Sequence, residues 1–199
     1  MDINKLQQLS NELKNRILKD KSNLVDIVIK KENSILTSMY EPVAKTVIVG
    51  AKEVLEGKEN KDKLLSSYFT VLGHELGHAK RDLEGKWSSR FYAYSPVIAF
   101  LSHIILHSYN DPLSHFLSIT SIPAGFVPML VEEYKAHKDV ENDVKKFLKE
   151  KFGNEVKYSN RLRNAAFGSY LSYVALATLG AEAIHHLPSL FHQLTSNTN

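Results

Sequence analysis

Cysteine is absent from the 199-residue chain. That excludes disulfides, a cysteine nucleophile and cysteine metal ligands, so any metal site must be built from histidine and carboxylate. An excess of one charge is also missing. Lys and Arg number 25 against 22 Asp and Glu, for a formal net charge of +3. The two signs are mixed along most of the chain, as in Lys138-Asp139 and from Lys145 to Glu150. No basic stripe therefore argues for nucleic acid, and no nucleic-acid partner is expected. The N-terminal stretch lacks the apolar core of a signal peptide, so export by that route is not expected. Internal repeats and low-complexity segments are missing too.

The distribution of charge says more than its sum. Between Phe91 and Val131 only Asp111 is charged, and between Asn164 and Asn199 only Glu182 is. Phe91–Ser108 and Leu113–Val131 are two apolar stretches of about 18 residues, near the lower limit for crossing a membrane. They flank Tyr109-Asn110-Asp111-Pro112, a turn by composition. Ser, His, Tyr and Pro interrupt both stretches, so two readings stand: a membrane hairpin, or two core helices of a soluble domain. In the hairpin reading, Lys86 and Arg90 before it and Lys135 and Lys138 after it share one side. The turn carries no Lys or Arg, so that side is cytoplasmic. Otherwise the protein is simply cytoplasmic. Ala165–Ile184 is a third apolar segment, expected to pack against the helix that follows the hairpin.

What is present centres on Val71-Leu72-Gly73-His74-Glu75-Leu76-Gly77-His78-Ala79. Asn60–Arg81 reads as one amphipathic helix. Leu65, Tyr68, Phe69, Leu72, Leu76 and Ala79 fall on its core face, and Ser67, Thr70, His74 and His78 lie roughly opposite. His74 and His78 are one turn apart on one face, a spacing that suits two imidazoles on one zinc ion with a position left open. Glu75 stands beside them as the group that takes a proton from an attacking water. Gly73 and Gly77 each cost about 1 kcal/mol relative to Ala in a helix, and their expected use is close approach of another backbone.

A highly charged helix over about Pro128–Phe152 carries a second pattern. Glu133, Ala136, His137, Val140, Val144, Phe147 and Leu148 recur on one face, whereas Glu132 is read as pointing away with Lys135, Lys138 and Asp139. Glu133 is then a carboxylate at the head of a buried stripe. It needs a partner, which is either a metal or water at the stripe's wet end. His103 and His107 are also four apart, but no carboxylate accompanies them, so packed histidines are the expectation there.

The remaining chain supplies a helix over Ile3–Leu18, strands at Leu24–Ile29 and Lys45–Gly50, and a short helical turn at Ala51–Leu55. Ile35–Val43 is ambiguous. The fold class expected is α+β and mostly helical. A small N-terminal sheet would place the edge strand Lys45–Gly50 beside the histidine helix, where an extended peptide could add.

Over about Val25–Leu194 these residues resemble the gluzincin metallopeptidases of the CaaX-prenyl-protease and HtpX-like family. Val47-Ile48-Val49-Gly50 with Val54-Leu55 resembles the family's strand and following turn. Leu65–Ala79 resembles its HExxH helix. Glu133-Tyr134-Lys135-Ala136-His137 resembles its E-x-x-A-D, whose Glu is the third zinc ligand. The resemblance implies a single zincin-like metallopeptidase domain over 1–199, with the apolar hairpin 91–131 inserted between the two zinc-ligand helices. It implies one Zn2+ per chain on His74, His78 and Glu133, with Glu75 catalytic and protein or peptide as substrate. His137 stands where the family has an Asp that orients a zinc-binding histidine. His186, in His186-Leu187-Pro188, resembles the family's C-terminal His-Pro and is the candidate for stabilising the oxyanion, ahead of Tyr170 or Tyr173. The different-class alternative is a non-cleaving, zinc-binding or membrane-associated relative. Oligomeric state is not legible.

Overall fold

The structure, a computed structural model, describes residues 1–57, 60–92, 94–109, 111–160, 164, 168, 171–180 and 183. The described chain is mostly helical with one small sheet, an α+β architecture. Two compact units are formed, one from Met1–Arg90 and Val131–Ala166, the other from Phe91–Leu130 and Phe167–Asn199.

The first unit is built on α1 (Ile3–Leu18) and α3 (Lys61–Leu83). Asp2 starts α1 by accepting from the Lys5 amide at 2.8 Å, which satisfies one of the free N–H groups at the helix start. Leu6, Leu9, Leu13 and Ile17 then recur every three or four residues and are buried. They meet the apolar face of α3, whose Leu65, Tyr68, Phe69, Leu72, Leu76 and Ala79 are buried as the periodicity predicts. Tyr68 keeps its hydroxyl satisfied in this core by sharing a 3.0 Å hydrogen bond with Ser10.

The sheet has three strands: β1 (Asp26–Lys30), β2 (Met39–Glu41) and β3 (Thr46–Gly50), in the order β1-β3-β2. β1 runs parallel to β3 with Val28 opposite Ile48, and β2 runs antiparallel to β3 with Tyr40 opposite Val47. This corrects one expectation. The strand at Thr46–Gly50 is central, not an edge, because the ambiguous stretch Ile35–Val43 supplies a short third strand that covers its free side. Only β1 and β2 offer edges among the described strands. Asp82, near the end of α3, ties the sheet down: it accepts from the Tyr40 hydroxyl at 2.7 Å and pairs with Lys45. The short helix α2 (Lys52–Glu56) leads from β3 toward α3.

α7 (Val127–Phe152) contributes its residues from Val131 onward to the same unit. Its predicted stripe of Glu133, Ala136, His137, Val140, Val144, Phe147 and Leu148 is buried throughout. The histidine face of α3 is covered as well. Val144 packs at Gly73, the Ala136 backbone at Gly77, and the Ser159 amide donates to Thr70 at 3.0 Å. α3 is therefore buried on two sides, and its small residues are the places where α7 comes close.

A short helix, α4 (Trp87–Phe91), precedes α5 (Ser95–His107) and α6 (Pro112–Gly125) in the chain; α5 and α6 belong to the second unit and pack as an antiparallel hairpin. His103 is buried there, with Nδ1 2.9 Å from the Ser118 hydroxyl, a packed histidine as expected. Ile122 and Phe126 form a small core with Met129, Val174 and Ala177, so the described helical stretch Leu171–Gly180 packs near the end of α6. Val97, Ile98, Leu101, Ile105, Leu113 and Phe116 remain exposed. By length and composition one helical run, Pro112–Phe152, is apolar enough to cross a membrane, and only 17% of its most apolar window is buried.

The close approach at Gly77 gives a direct test. A Cβ there would lie 2.1 Å from the Ala136 carbonyl oxygen. Gly77→Ala must push α7 away, so it should destabilise the protein by about 1–3 kcal/mol despite Ala's better helix propensity. Thermal unfolding reads the effect, and an unchanged midpoint would contradict the packing described.

Candidate metal centre

A helix turn sets His74 and His78 side by side on α3, with their rings 4.5 Å apart. Because no side chain intervenes at Gly77, the α7 backbone lies against α3 at Ala136, and Glu133, one turn before Ala136, reaches both imidazoles. The two Nε2 atoms are 3.2 Å apart. Glu133 Oε2 is 3.0 Å from His74 Nε2, and its Oε1 is 3.5 Å from His78 Nε2. Ligands about 2.1 Å from a tetrahedral ion stand about 3.4 Å from one another. The three spacings bracket that value, and His74, His78 and Glu133 form a group that could hold a metal ion. The donor set of two imidazoles and one carboxylate suits zinc.

The electrostatics of the group point the same way. Burial disfavours charge on His78, but the carboxylates of Glu132 and Glu133 outweigh it and raise its pKa to about 10. Burial likewise opposes ionisation of Glu133, yet hydrogen bonds and charge from His74 and His78 hold its carboxyl well below the usual carboxylate range. A proton is thus held strongly where a cation would sit. His74 Nδ1 is buried and has no hydrogen-bond partner among the described residues.

Around the group the residues divide by what they touch. The His137 ring stacks on His74, with centroids 4.0 Å apart and planes 25° from parallel, and its Nδ1 lies 3.0 Å from the Tyr158 hydroxyl. The resemblance placed an orienting acceptor at 137, and the position does touch a candidate ligand, through the flat of the ring. Glu75 is 8% exposed and makes no hydrogen bond or ion pair with a described residue. His186, Tyr170 and the His-Leu-Pro stretch lie outside the described residues. Tyr173 belongs to the second unit, where it packs against Phe126.

Glu132 requires a correction. Read from the sequence as pointing away, it is fully buried. Its Oε1 is 3.3 Å from His78 Nδ1, and its Oε2 accepts from Arg81 Nε at 2.9 Å and from the Ser88 hydroxyl at 2.7 Å. The buried face of α7 is wider than the stripe of Glu133, His137 and Val140: Glu132, Ala136 and Val140 form a second row at a spacing of four. Burial of Glu132 depends on Arg81, a counter-charge supplied by α3. The signal available in the sequence was Arg81 itself, a cation three residues beyond His78 and so close to the histidine face of α3.

No family model matches the chain, and no curated protein or solved structure matches it either.

The proton on His78 makes stability depend on pH with a defined sign. A pKa raised in the fold stabilises the protein fully below the ordinary value of 6.5, and that contribution is lost as the pH rises through about 10. Metal-free protein should therefore lose thermal stability between pH 6.5 and 10 more steeply than its His78→Gln variant. Bound metal takes the proton's place, so loading should flatten that limb. Thermal unfolding with chelator and with added zinc measures both, and equal slopes for wild type and His78→Gln would refute the assignment.

Proposed function

We propose that the protein is a zinc-dependent endopeptidase associated with a membrane. The observation that carries the reading is the group of His74, His78 and Glu133, with Glu75, which has no hydrogen-bond or ion-pair partner among the described residues, next to it in the chain. Those three residues would hold the ion, which would supply Lewis acidity toward water and a substrate carbonyl. Glu75 is the general base: its carboxylate takes the proton of the attacking water and returns it to the leaving amine nitrogen. Because Glu75 is not tied up in a hydrogen bond, its accepting capacity is available to the reacting groups. His78 and His74 must be neutral to serve as ligands, so binding displaces the proton that the carboxylates otherwise hold on His78. The resemblance assigns stabilisation of the oxyanion to His186, which lies outside the described residues. An extended peptide substrate adds its backbone to an outer strand, β1 or β2, since β3 is already paired on both sides.

The membrane part rests on the second unit. Its hairpin exposes Val97, Ile98, Leu101 and Ile105 on one arm and Leu113 and Phe116 on the other. An apolar surface of this kind is costly in water and needs a cover. A lipid layer is the proposed one, with Lys86 and Arg90 before the hairpin and Lys135 and Lys138 after it on the cytoplasmic side.

Glu75→Gln should keep zinc, because Glu75 is not a ligand, and should lose turnover of a casein substrate by about 10²–10⁴-fold. Glu133→Ala should lose both zinc and turnover. Metal analysis beside casein hydrolysis decides. Wild-type activity in Glu75→Gln would overturn the mechanism, and bound zinc with no hydrolysis by wild type would mark a non-cleaving zinc protein.

The location has its own test. The protein should sediment with membranes and resist carbonate extraction. Recovery of stable protein in the soluble fraction without detergent would overturn the membrane assignment and leave the metal chemistry untouched.

A further inference from the structure

We infer that Glu132, clasped by Arg81 and Ser88, is a positioning residue that holds the His78 imidazole with Nε2 turned toward the metal. The inference rests on the metal-centre reading above and adds residues that ligate nothing themselves.

The geometry begins at His78. A carboxylate can only accept a hydrogen bond, so the 3.3 Å contact of Glu132 Oε1 with His78 Nδ1 makes Nδ1 the donor. The proton on Nδ1 leaves the Nε2 lone pair facing Glu133 and His74, and the carboxylate behind it raises the basicity of the ring. Glu132 is itself held at its other oxygen by Arg81 Nε at 2.9 Å and the Ser88 hydroxyl at 2.7 Å. Ser88 closes the loop by accepting from Arg81 Nη2 at 2.7 Å, and Asp139 fixes the remaining end of the guanidinium through Nη1 at 2.8 Å.

Every member has its partner, which a buried polar network requires. Arg81 is 4% exposed, so it supplies Glu132 with a counter-charge shielded from water. Both Glu132 oxygens are engaged, and Oε1 faces His78 Nδ1, whereas Glu133 faces the Nε2 atoms of both histidines. His74 has no such contact among the described residues: its Nδ1 has no hydrogen-bond partner there, and its ring stacks on His137. The two histidines are therefore unequal. His78 is the ligand anchored through its second nitrogen and His74 the more easily displaced one.

The test uses the full chain. Zinc and cobalt(II) affinities are measured by chelator competition for wild type, Glu132→Gln and Ser88→Ala, with circular dichroism as the check on folding. Glu132→Gln should weaken both metals about 10–100-fold, with a changed cobalt absorption spectrum, and Ser88→Ala should weaken them less, in the same direction. In zinc-loaded wild type one imidazole N–H should give a slowly exchanging, downfield proton resonance, which Glu132→Gln shifts. A purely structural role for Glu132 would leave that resonance and the cobalt spectrum unmoved. Wild-type affinity in a folded Glu132→Gln, or absence of the resonance from zinc-loaded wild type, overturns the inference. If Glu132→Gln does not fold, the wild-type resonance and the affinity of Ser88→Ala decide. Failure of wild type to bind either metal would sink the metal-centre reading as well, whereas wild-type binding with an unaffected Glu132→Gln sinks the clasp alone.

Discussion

Three carboxylates buried in one place are the constraint on which the rest of this protein depends. Glu75, Glu132 and Glu133 are all shielded from water, and Arg81 is the one guanidinium buried with them among the described residues. Ionised carboxylates are costly to remove from water unless their charge is met. Arg81 is shared between Glu132 and Asp139, so with both histidines neutral it leaves negative charge at the site that a bound cation would meet. The raised pKa of His78 expresses the same imbalance, since the metal-free site recruits a proton in partial compensation. The charge deficit and the 3.0–3.5 Å spacing of the ligand atoms are independent features of the site, and both suit a single small cation.

The scaffold makes such a site affordable by rigidity. α3 is packed by α1 on one side and α7 on the other, and Asp82 fastens its far end to the sheet through Tyr40 and Lys45. The Gly77–Ala136 contact sets how near α7 comes, and that distance decides whether one carboxylate can reach two imidazoles at once. Val144 at Gly73 and the stripe below it hold the helices in that relation over about two further turns. Segment 156–159 covers the polar face of α3, with Tyr158 steadying His137 behind His74.

The second unit obeys a different constraint. Its helices satisfy their own backbones and bury a few small contacts, such as Ala99 against Gly125 and His103 against Ser118, while their larger apolar side chains face outward. In water that arrangement would sacrifice most of the stabilisation those side chains can provide. The near absence of charge from Phe91 to Val131 fits the same picture, because a charged side chain there would be costly in an apolar surrounding.

His74 and His78 were legible because four-residue spacing within one helix fixes a shared face whatever packs on it. Glu133 was legible because its stripe repeats over about four turns of α7. The helical, α+β character followed from periodicity in the same way. Strand order did not: β3 is central because a three-residue strand pairs with it, and so short a segment carries too little alternation to be recognised. Glu132 was misread because periodicity ranks positions on one helix and cannot say how wide a face its neighbour covers. Its burial is set by Arg81, 51 residues away, and by a helix crossing that a missing Cβ at Gly77 permits. Local spacing, then, determined which residues could be ligands. Only the tertiary structure decided which charges stand behind them, because a buried charge is specified by its partner and not by its place in the chain.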